Sequence, residues 1–478
     1  MGNGRRGRRG GKHRNRPPAG DGAGAVLPVN VSGWDGARRS ERRGHLVWPT
    51  LDSKKELSAH ERLEVMRKVR GAEANIGLVK RCVGGVSDLV GYLRPQAATE
   101  NAEFNRAAED AFNRRAGHPL AFDLAGRLDF FAWQSATKRA RLRDGDALTV
   151  LASGAEGGGR VMLYEAHQIG NGRQARGERP DNLTDGVFLD RWGGRAGFRI
   201  LGDDGQTWKT VPRDRSIYHG RADRVGRPRE VSGMAHAVSN FLDMVEIVAD
   251  TKHAIKVAAL WGVAMETQGT AGGEAVSEDI RAWMEAGSDA PGAGGAGEVL
   301  TLESILRGGR VQGLPGGSKL TTLQDTRPHP NQMALLAHLV RDIAWGLGIA
   351  PEVLWDMSGL NGTAARYLMA DTRRFVENQQ MELERDCRRV WMYFLAKEVQ
   401  AGRLEIPAGL DRWWDSRWIA QADLTIDRGR EGKLEKELVE ADLRTRQEYW
   451  GRQGKDWQEQ ERQISAEREF LKDLGGVE

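Results

Sequence analysis

Two long stretches of helical periodicity constrain the fold of this chain more than any other feature. Residues 234–265 repeat apolar side chains at helical spacing for about nine turns, and residues 364–400 do so again. At ~1.5 Å per residue these helices span about 48 Å and about 55 Å. Charged side chains such as Asp243 and Lys256 lie within the first stretch, which excludes a membrane span. We therefore expect two long, rod-like helices that are exposed to water.

Glycine is unevenly distributed along the chain. The 478 residues include 61 glycines, about 13% against a usual ~7%. Residues 1–47 hold 11 of them, residues 154–233 hold 16 and residues 262–317 hold 14. We interpret these clusters as a loose arm, a set of hairpin turns and a flexible excursion that follows the first rod. A chain of this length also predicts more than one domain, because single cores stop growing near ~250–300 residues.

Charge is uneven as well. Residues 1–47 carry 11 Lys/Arg and 3 Asp/Glu, a net +8, whereas the whole chain is +4, so the remainder is −4. We expect residues 1–57 to form a disordered basic arm. Non-specific phosphate contact is one hypothesis for the arm and a solubilising tail is the other; the first involves Arg5, Arg6, Arg8 and Arg9. The acidic remainder argues against a globally basic nucleic-acid reader.

Shorter periodic segments predict the rest of the secondary structure. We expect a helix from Ser58 that is interrupted at Gly71, and a hairpin that turns at Gly193-Gly194. Further helices are predicted over residues 100–115, 124–143, 331–347 and 427–474. Strands are predicted over residues 147–151, 161–164, 187–190, 210–211 and 216–219, with small strands near 299–300 and 311–314. Thr363 is the predicted cap of the second rod.

Catalytic and cofactor motifs are not apparent in the sequence. Two cysteines, Cys82 and Cys387, are too few for a disulfide framework, and the ten histidines show no metal-binding spacing. The segment 313–322 resembles a phosphate-binding loop, but Ser318 separates the glycines from the lysine. Asp144 and Asp146 pair two carboxylates, which we interpret as a turn before a strand. We expect no enzyme activity, no metal and no cofactor.

Fifteen tryptophans allow two interpretations. Stacking on nucleic-acid bases is one, and packing in the core or between subunits is the other. Packing is favoured because several tryptophans adjoin apolar helical positions, namely Trp261, Trp345, Trp355 and Trp391. Trp413, Trp414 and Trp418 lie close together, and we expect them to anchor an interface.

The order of these elements carries a family resemblance. The step Arg141-Leu-Arg-Asp-Gly-Asp-Ala-Leu148, the segment Arg227-Pro-Arg-Glu-Val-Ser-Gly-Met234 and above all residues 328–366 resemble the portal proteins of tailed bacteriophages, lambda family. Asp146 stands where that family commonly has Glu, and Arg428 follows Asp427 where it has Pro. The resemblance covers about residues 58–470.

The resemblance implies an α+β portal fold that assembles as a ring, usually of twelve copies. It implies an antiparallel-strand wing, long stem helices, a small clip and a helical C-terminal crown. The implied boundaries are the arm at 1–57, wing at 58–233, stem helix at 234–267, clip at 268–326, returning stem helix at 327–355, tunnel loop at 356–363, long helix at 364–402 and crown at 403–478.

The same resemblance implies the sites and partners. The DNA-channel loop would comprise Asp356, Met357, Ser358, Gly359, Leu360, Asn361, Gly362 and Thr363. The clip docking surface would include Leu306, Arg310, Val311, Leu314 and Lys319. Implied partners are other copies of the chain, double-stranded DNA, the terminase large subunit, a head–tail connector or adaptor and the major capsid protein, with no membrane. The implied location is the capsid vertex of a virion assembled in the bacterial cytoplasm.

Two rival functions stay open from the sequence. Another virion structural protein or head–tail adaptor also accommodates helical rods, with a different stoichiometry. A nucleic-acid-processing enzyme is the less favoured rival, because it requires carboxylate or histidine clusters that the sequence does not display.

Overall fold

A computed structural model describes most of the chain outside its N-terminal arm. Its described residues are 52–172, 180–202, 204–205, 207–260, 264–267, 318–321, 330–421 and 428–473. The chain separates into two units, residues 1–50 and 51–478, and every described residue belongs to the second.

The described part begins with a bundle of short helices. Helix α1 (Ala59–Asn75) starts at a capping box, in which the Ser58 hydroxyl and the Glu61 carboxylate each bond the other's backbone N–H. The predicted interruption at Gly71 is wrong, because α1 continues through it with open space around that glycine. Helix α2 (Gly77–Lys80), one π-helical turn (Arg81–Gly85) and α3 (Val86–Val90) follow.

Two longer helices follow the bundle. Helix α4 (Ala102–Ala116) confirms the prediction for 100–115 and is capped by Asn101, and the short α5 (Pro119–Phe122) follows it. The helix predicted over 124–143 begins later, as α6 (Phe130–Arg143). Asp129 accepts the Ala132 N–H and fixes that start.

The predicted strands form two antiparallel sheets. The first has the order β3-β2-β8, from β2 (Asp146–Ser153), β3 (Gly159–Glu165) and β8 (Ser216–Gly220). The second has the order β4-β5-β6-β7, from β4 (Leu183–Thr184), β5 (Val187–Leu189), β6 (Arg195–Leu201) and β7 (Trp208–Pro212). The predicted hairpin turn is confirmed, with Gly193 at φ 80°. A small edge strand, β1 (Arg94–Ala97), lies apart from both sheets.

The first rod is shorter than its periodicity predicts. A 3₁₀ turn (Ala235–Ala237) leads into α7 (Val238–Leu260), whereas the prediction extended the helix to Met265. Residues 264–267 instead form β9 (Ala264–Thr267), which pairs antiparallel with β10 (Ser318–Thr321). Strand pairing across 50 residues of sequence overrides the local helical pattern. The strands predicted near 299 and 311 lie outside the described residues.

Three helices continue the chain. The prediction for 331–347 is confirmed by α8 (Pro330–Leu347), which is followed by α9 (Pro351–Leu354) and the 39-residue α10 (Gly362–Gln400). The cap of α10 is Asn361, whose side chain accepts the Ala364 N–H, and the prediction of Thr363 is wrong. Asn caps a helix at least as well as Thr, because its side-chain oxygen accepts one of the orphan N–H groups of the first turn.

The C-terminal segment begins with β11 (Ser416–Ile419), which pairs with β1. Three helices follow it: α11 (Arg428–Glu440), α12 (Arg446–Arg452) and α13 (Trp457–Asp473). They confirm the charged, helical character predicted for 427–474, in three pieces. Asp442 (φ 55°) and Gly454 (φ 71°) make the turns between them.

Three apolar clusters hold these elements together. The largest joins α4, α5, α6 and α10, with Phe112 and Trp391 in contact at 5.0 Å between ring centroids. A second joins α1 to the bases of α7 and α8 through residues such as Phe241 and Ile343. A third lies between the two sheets, where Phe198 stacks on Tyr218. Helix α10 therefore runs through the main core and on toward the loop at its N-terminus.

Candidate functional site

The predicted channel loop forms the exposed turn before α10. Residues 355–359 and Asn361 are exposed, and Leu360 is half-buried. The Asp356 carboxylate accepts the Ser358 N–H and the Ser358 hydroxyl, each at 2.8 Å. These bonds lower the pKa of Asp356, so the loop carries a negative charge at neutral pH. Of the predicted loop residues, Gly362 and Thr363 lie instead in the first turn of α10.

Exposed aromatic side chains surround this loop. Trp345 near the end of α8, Trp355 at the start of the loop and Tyr367 in the second turn of α10 are all more than 60% exposed. Trp391, by contrast, is completely buried in the main cluster, as the packing interpretation predicts. Exposed rings of this size favour contact with another macromolecule.

Helices α7 and α8 are buried only at their bases. Phe241 of α7 and Val340, Ile343, Ala344 and Leu347 of α8 are buried. No residue of 242–256 or 331–339 is buried in the described structure. Large apolar side chains on these outer parts are 41–54% exposed, namely Leu242, Val245, Ile255, Met333 and Leu335. The pair therefore presents uncovered apolar surface along most of its length.

An acidic stripe follows one face of α7. Asp243, Glu246 and Asp250 are exposed and spaced by three and four residues, so they lie on neighbouring turns of one face. Lys252 and Lys256 are exposed as well, further along the helix. The carboxylates concentrate negative charge near the base of α7.

Side-chain hydrogen bonds join the bases of α7 and α8. The His236 Nε2 atom donates to the Ile343 carbonyl at 3.2 Å, and Asn240 Nδ2 donates to Asp342 Oδ2 at 2.6 Å. The His236 ring lies against Gly346, where an added Cβ would come within 2.0 Å of Nε2. Gly346 therefore provides the space that the imidazole occupies.

The chain segment between β8 and α7 is held by a buried arginine. Arg229 is 2% exposed, and its guanidinium binds both oxygens of the fully buried Asp146 at 2.7 and 2.6 Å. It also donates to the carbonyls of Ala166, Ile169 and Asp185 at 2.9, 2.9 and 3.0 Å. These bonds use all five N–H groups of the side chain. Burial alone would raise the pKa of Asp146, but the Arg229 charge lowers it and keeps the carboxylate ionised.

A second buried carboxylate lies two residues earlier. Asp144 accepts bidentate bonds from Arg70 of α1, at 2.8 Å to each oxygen, and from Arg143, at 3.0 and 2.8 Å. Between the two carboxylates, Gly145 has φ 97° and a backbone neighbour at 2.5 Å from any added Cβ. The turn interpretation of Asp144 and Asp146 is therefore incomplete, because both carboxylates anchor neighbouring elements through arginines.

A Thr–His–Asp arrangement joins the first sheet to α10. His219 Nδ1 lies 2.8 Å from Asp386 Oδ2, and Nε2 lies 2.7 Å from the Thr149 hydroxyl, which also accepts the Trp133 indole N–H at 2.9 Å. Burial is the main cause of a lowered pKa for His219, which favours the neutral ring. His219 and Thr149 are 0% exposed, so a substrate does not reach them. The geometry resembles a nucleophilic triad but is structural.

The remaining predicted residues fall in different places. Lys319 lies in β10, opposite Glu266 of β9. The other predicted clip residues and the arm arginines lie outside the described residues, as do Trp261 and most of the segment 313–322. Trp413 and Trp414 contact each other edge-to-face, and Trp418 packs on the main cluster. The expected interface at these tryptophans stays a prediction.

The described residues contain no group of three or more metal-binding side chains that come together. Cys82 and Cys387 are buried, and burial raises the pKa of both thiols, that of Cys82 to about 12. No helix in the described ranges is both long enough and apolar enough to cross a membrane.

Sequence reasoning missed the carboxylate–arginine and carboxylate–histidine pairs because their members are far apart in the chain. Asp146 and Arg229 are 83 residues apart, and His219 and Asp386 are 167 apart. One signal was available, since Asp146 and Arg229 lie in two of the segments that carry the family resemblance.

Comparison with known proteins gives a family and a set of remote structures. The sequence model of the phage portal proteins, lambda family, matches residues 41–380, about seven-tenths of the chain. No curated protein matches. The neck of an empty gene transfer agent particle, computed with C6 symmetry, is 13% identical, with 83% of this chain and 91% of that chain covered and a TM-score of 0.49.

Two other solved structures are similar at comparably low sequence identity. The neck of a native gene transfer agent particle, computed with C12 symmetry, is 14% identical, with 80% of this chain and 89% of that chain covered and a TM-score of 0.46. An HK97 family phage portal protein from Corynebacterium diphtheriae is 13% identical, with 64% and 88% covered and a TM-score of 0.31. The match of the family model over most of the sequence shows that the chain belongs to the lambda family of phage portal proteins.

Proposed function

We propose that copies of this chain form the portal ring at one vertex of a phage capsid, through which double-stranded DNA is packaged and later ejected. In this role α7 and α8 are the stem, the segment between β9 and β10 belongs to the clip, and α11–α13 belong to the crown. The clip docks the terminase large subunit and then the head–tail connector, while the body of the ring contacts the major capsid protein. The role is structural and uses no cofactor.

The uncovered stem is the observation that carries this proposal beyond family membership. A pair of helices that buries apolar side chains only at its base gains free energy when other copies cover the rest, at ~25 cal/mol per Å² of apolar surface. Side-by-side copies contact one another through two different patches, and such a heterologous arrangement closes into a ring when the rotation permits. A ring, of twelve copies as is usual in this family, is thus the assembly that we expect.

The charge of the loop and stem supports passage of DNA rather than tight binding. Asp356 is the only charged residue of the loop from 355 to 361, and the acidic stripe places three exposed carboxylates on α7. A polyanion binds tightly where lysines and arginines neutralise its phosphates and release counterions. A channel lined by carboxylates has no such gain, so the duplex moves without being held.

Electron microscopy of the purified full-length chain tests the ring. We expect closed rings with a central hole wide enough for a duplex, in a single predominant stoichiometry. Discrete monomers at high protein concentration would contradict the proposal. An open or differently sized assembly that lacks a central hole would favour the rival role of a head–tail adaptor.

Reversal of the acidic stripe tests the passage of DNA. The variant D243K/E246K/D250K replaces three negative charges with three positive ones on one face of α7, a change in net charge of about +6 per copy. We expect slower packaging and tighter, more salt-sensitive DNA binding by the ring, because new lysines release counterions from the duplex. Affinity is measured by fluorescence anisotropy of a labelled duplex at several salt concentrations, and packaging by protection of DNA from nuclease.

The matched control reverses three exposed carboxylates of α13, as E459K/E467K/E469K. It makes the same change in net charge on a different helix. Unchanged packaging and DNA affinity in the α7 variant, or an equal change in both variants, would refute the assignment of α7 to the channel wall.

A further inference from the structure

A large groove separates the second half of the wing from α10. Its volume is about 950 Å³, and its walls are β6, β7, β8 and one face of α10. Five arginines line it, against three carboxylates, so its lining has an excess of positive charge. The arginines are Arg195, Arg213, Arg221, Arg385 and Arg389.

The positive charges of two of these arginines are only weakly compensated by carboxylates in the described part of the chain. Half-buried Arg389 makes one hydrogen bond there, to the Arg213 carbonyl at 3.3 Å, and burial lowers its pKa. Exposed Arg385 has its nearest carboxylate in Asp386, at 3.6 Å. That carboxylate already accepts bonds from Arg141 and His219. Both guanidinium groups therefore retain donors for a further acceptor.

Arg195, another arginine of the groove, has a full set of partners within the chain. Arg195 donates to the Pro228 carbonyl at 2.9 Å and to the Glu230 carboxylate at 3.0 Å. Its guanidinium carbon also lies 4.1 Å from the centroid of the Tyr218 ring, in a cation–π contact. Arg385 and Arg389 have no comparable set of partners among the described residues, so a carboxylate from outside would complete them.

The lining favours a folded protein surface over a phosphate backbone. Asp214 and Glu382 lie among the arginines, and a continuous polyanion would be repelled at each of them. Exposed Ala196, Pro212 and Ala222 add apolar wall, for which a phosphodiester chain has no matching surface. Separate carboxylates on a partly apolar surface match this alternation.

We propose that the groove receives carboxylate side chains from a neighbouring copy of this chain, with Arg385 and Arg389 as the receiving residues. This inference rests on the proposed ring, in which each copy meets its neighbours through unlike patches. Charge complementarity supports a second copy as the occupant, because the chain outside its basic arm has a net charge of −4.

The double variant R385E/R389E tests the proposal in the full-length chain. Paired charges across an interface become repulsive, so we expect the protein concentration needed for half-assembly to rise at least ~10-fold. Light scattering coupled to size-exclusion chromatography measures assembly, and negative-stain microscopy shows the particles. The neutral variant R385Q/R389Q is expected to give a smaller rise, and circular dichroism checks that both variants fold.

The matched control is R114E/R127E, which reverses two exposed arginines outside the groove. Rings in the wild type and the control, with folded but unassembled R385E/R389E, support the inference. Rings that form equally well in all three proteins overturn it while leaving the proposed function intact. A wild type that forms no ring overturns the proposed function first. Intact rings of R385E/R389E that lose affinity for a labelled DNA duplex would assign the groove to DNA and also overturn the inference.

Discussion

Replacing Arg229 with Met removes the charge that holds Asp146 while keeping a side chain of similar length. Asp146 is completely buried, and after the change it retains only the Tyr218 hydroxyl at 2.7 Å and the Glu230 N–H at 3.2 Å. Breaking a buried ion pair by removing one partner costs about 3–5 kcal/mol, because the other charge stays buried without its counter-charge. Three backbone carbonyls lose a donor as well, although that of Ala166 keeps the Ile169 N–H at 3.3 Å. A buried carbonyl left without any donor costs about 1–3 kcal/mol.

These costs share one network and do not add. We therefore expect R229M to lower the free energy of unfolding by about 5 kcal/mol, which approaches the whole stability of a typical domain. Urea denaturation followed by tryptophan fluorescence measures the loss, with circular dichroism as a second probe. The exposed pair of Arg412 and Asp415 provides the control, since R412M is expected to cost under about 1 kcal/mol.

A double variant separates the stranded charge from the loss of packing. Asn at position 146 has nearly the shape of Asp and no charge, so R229M/D146N removes the stranded carboxylate. We expect it to recover about 2 kcal/mol or more relative to R229M. If R229M costs under about 1 kcal/mol, or if the double variant is no more stable than R229M, the carboxylate–arginine pair does not hold the wing as argued.

Two further predictions concern the stem base and the buried histidine. G346A should lower stability by about 1–2 kcal/mol, because the new methyl group displaces the His236 ring and its bond to Ile343. In an H236A background the same change should instead stabilise by about 1 kcal/mol through helix propensity, and thermal unfolding that shows the same sign in both backgrounds would refute the packing argument. Because the folded-state pKa of His219 is lowered, the unfolded state binds the extra proton below pH ~6.5, and stability falls on acidification by up to ~1.4 kcal/mol per pH unit. H219Q should remove that part of the slope between pH 7 and 5 in urea titrations, and an unchanged slope would show that His219 does not carry it.

Local patterns predicted most elements of the fold because the helices and strands follow their own periodicity. The hairpin at Gly193 and helix α8 need only residues close in sequence, and both were predicted within a residue or two. The end of α7 was missed because the partner of β9 is β10, about 50 residues further on. The cap of α10 was missed by two residues, since Asn361 and Thr363 are both good caps and local sequence does not choose between them.

The candidate site was predictable in its exposed parts only. Glycine and polar residues between two helical patterns predict the loop from Asp356 to Asn361. The buried ion pairs do not, because a charged residue in a sequence gives no sign of whether it will be solvated or buried against a partner 83 residues away. Sequence also gave no sign of the groove, which exists only once β6–β8 and α10 are placed beside one another.

The distribution of apolar and ionic contacts has a mechanical consequence. Apolar burial is non-directional, so it stabilises α4, α6 and α10 against one another without fixing their angles closely. A bidentate pair fixes direction, and Arg229 makes five such directed bonds at residue 229, five residues before the stem turn begins to form at Met234. In the proposed ring every copy must place α7 at the same angle, because an angular error in one subunit repeats at each contact. Buried ion pairs contribute little net stability compared with apolar packing, so the placement of this pair just before α7 is better explained by orientation than by stability.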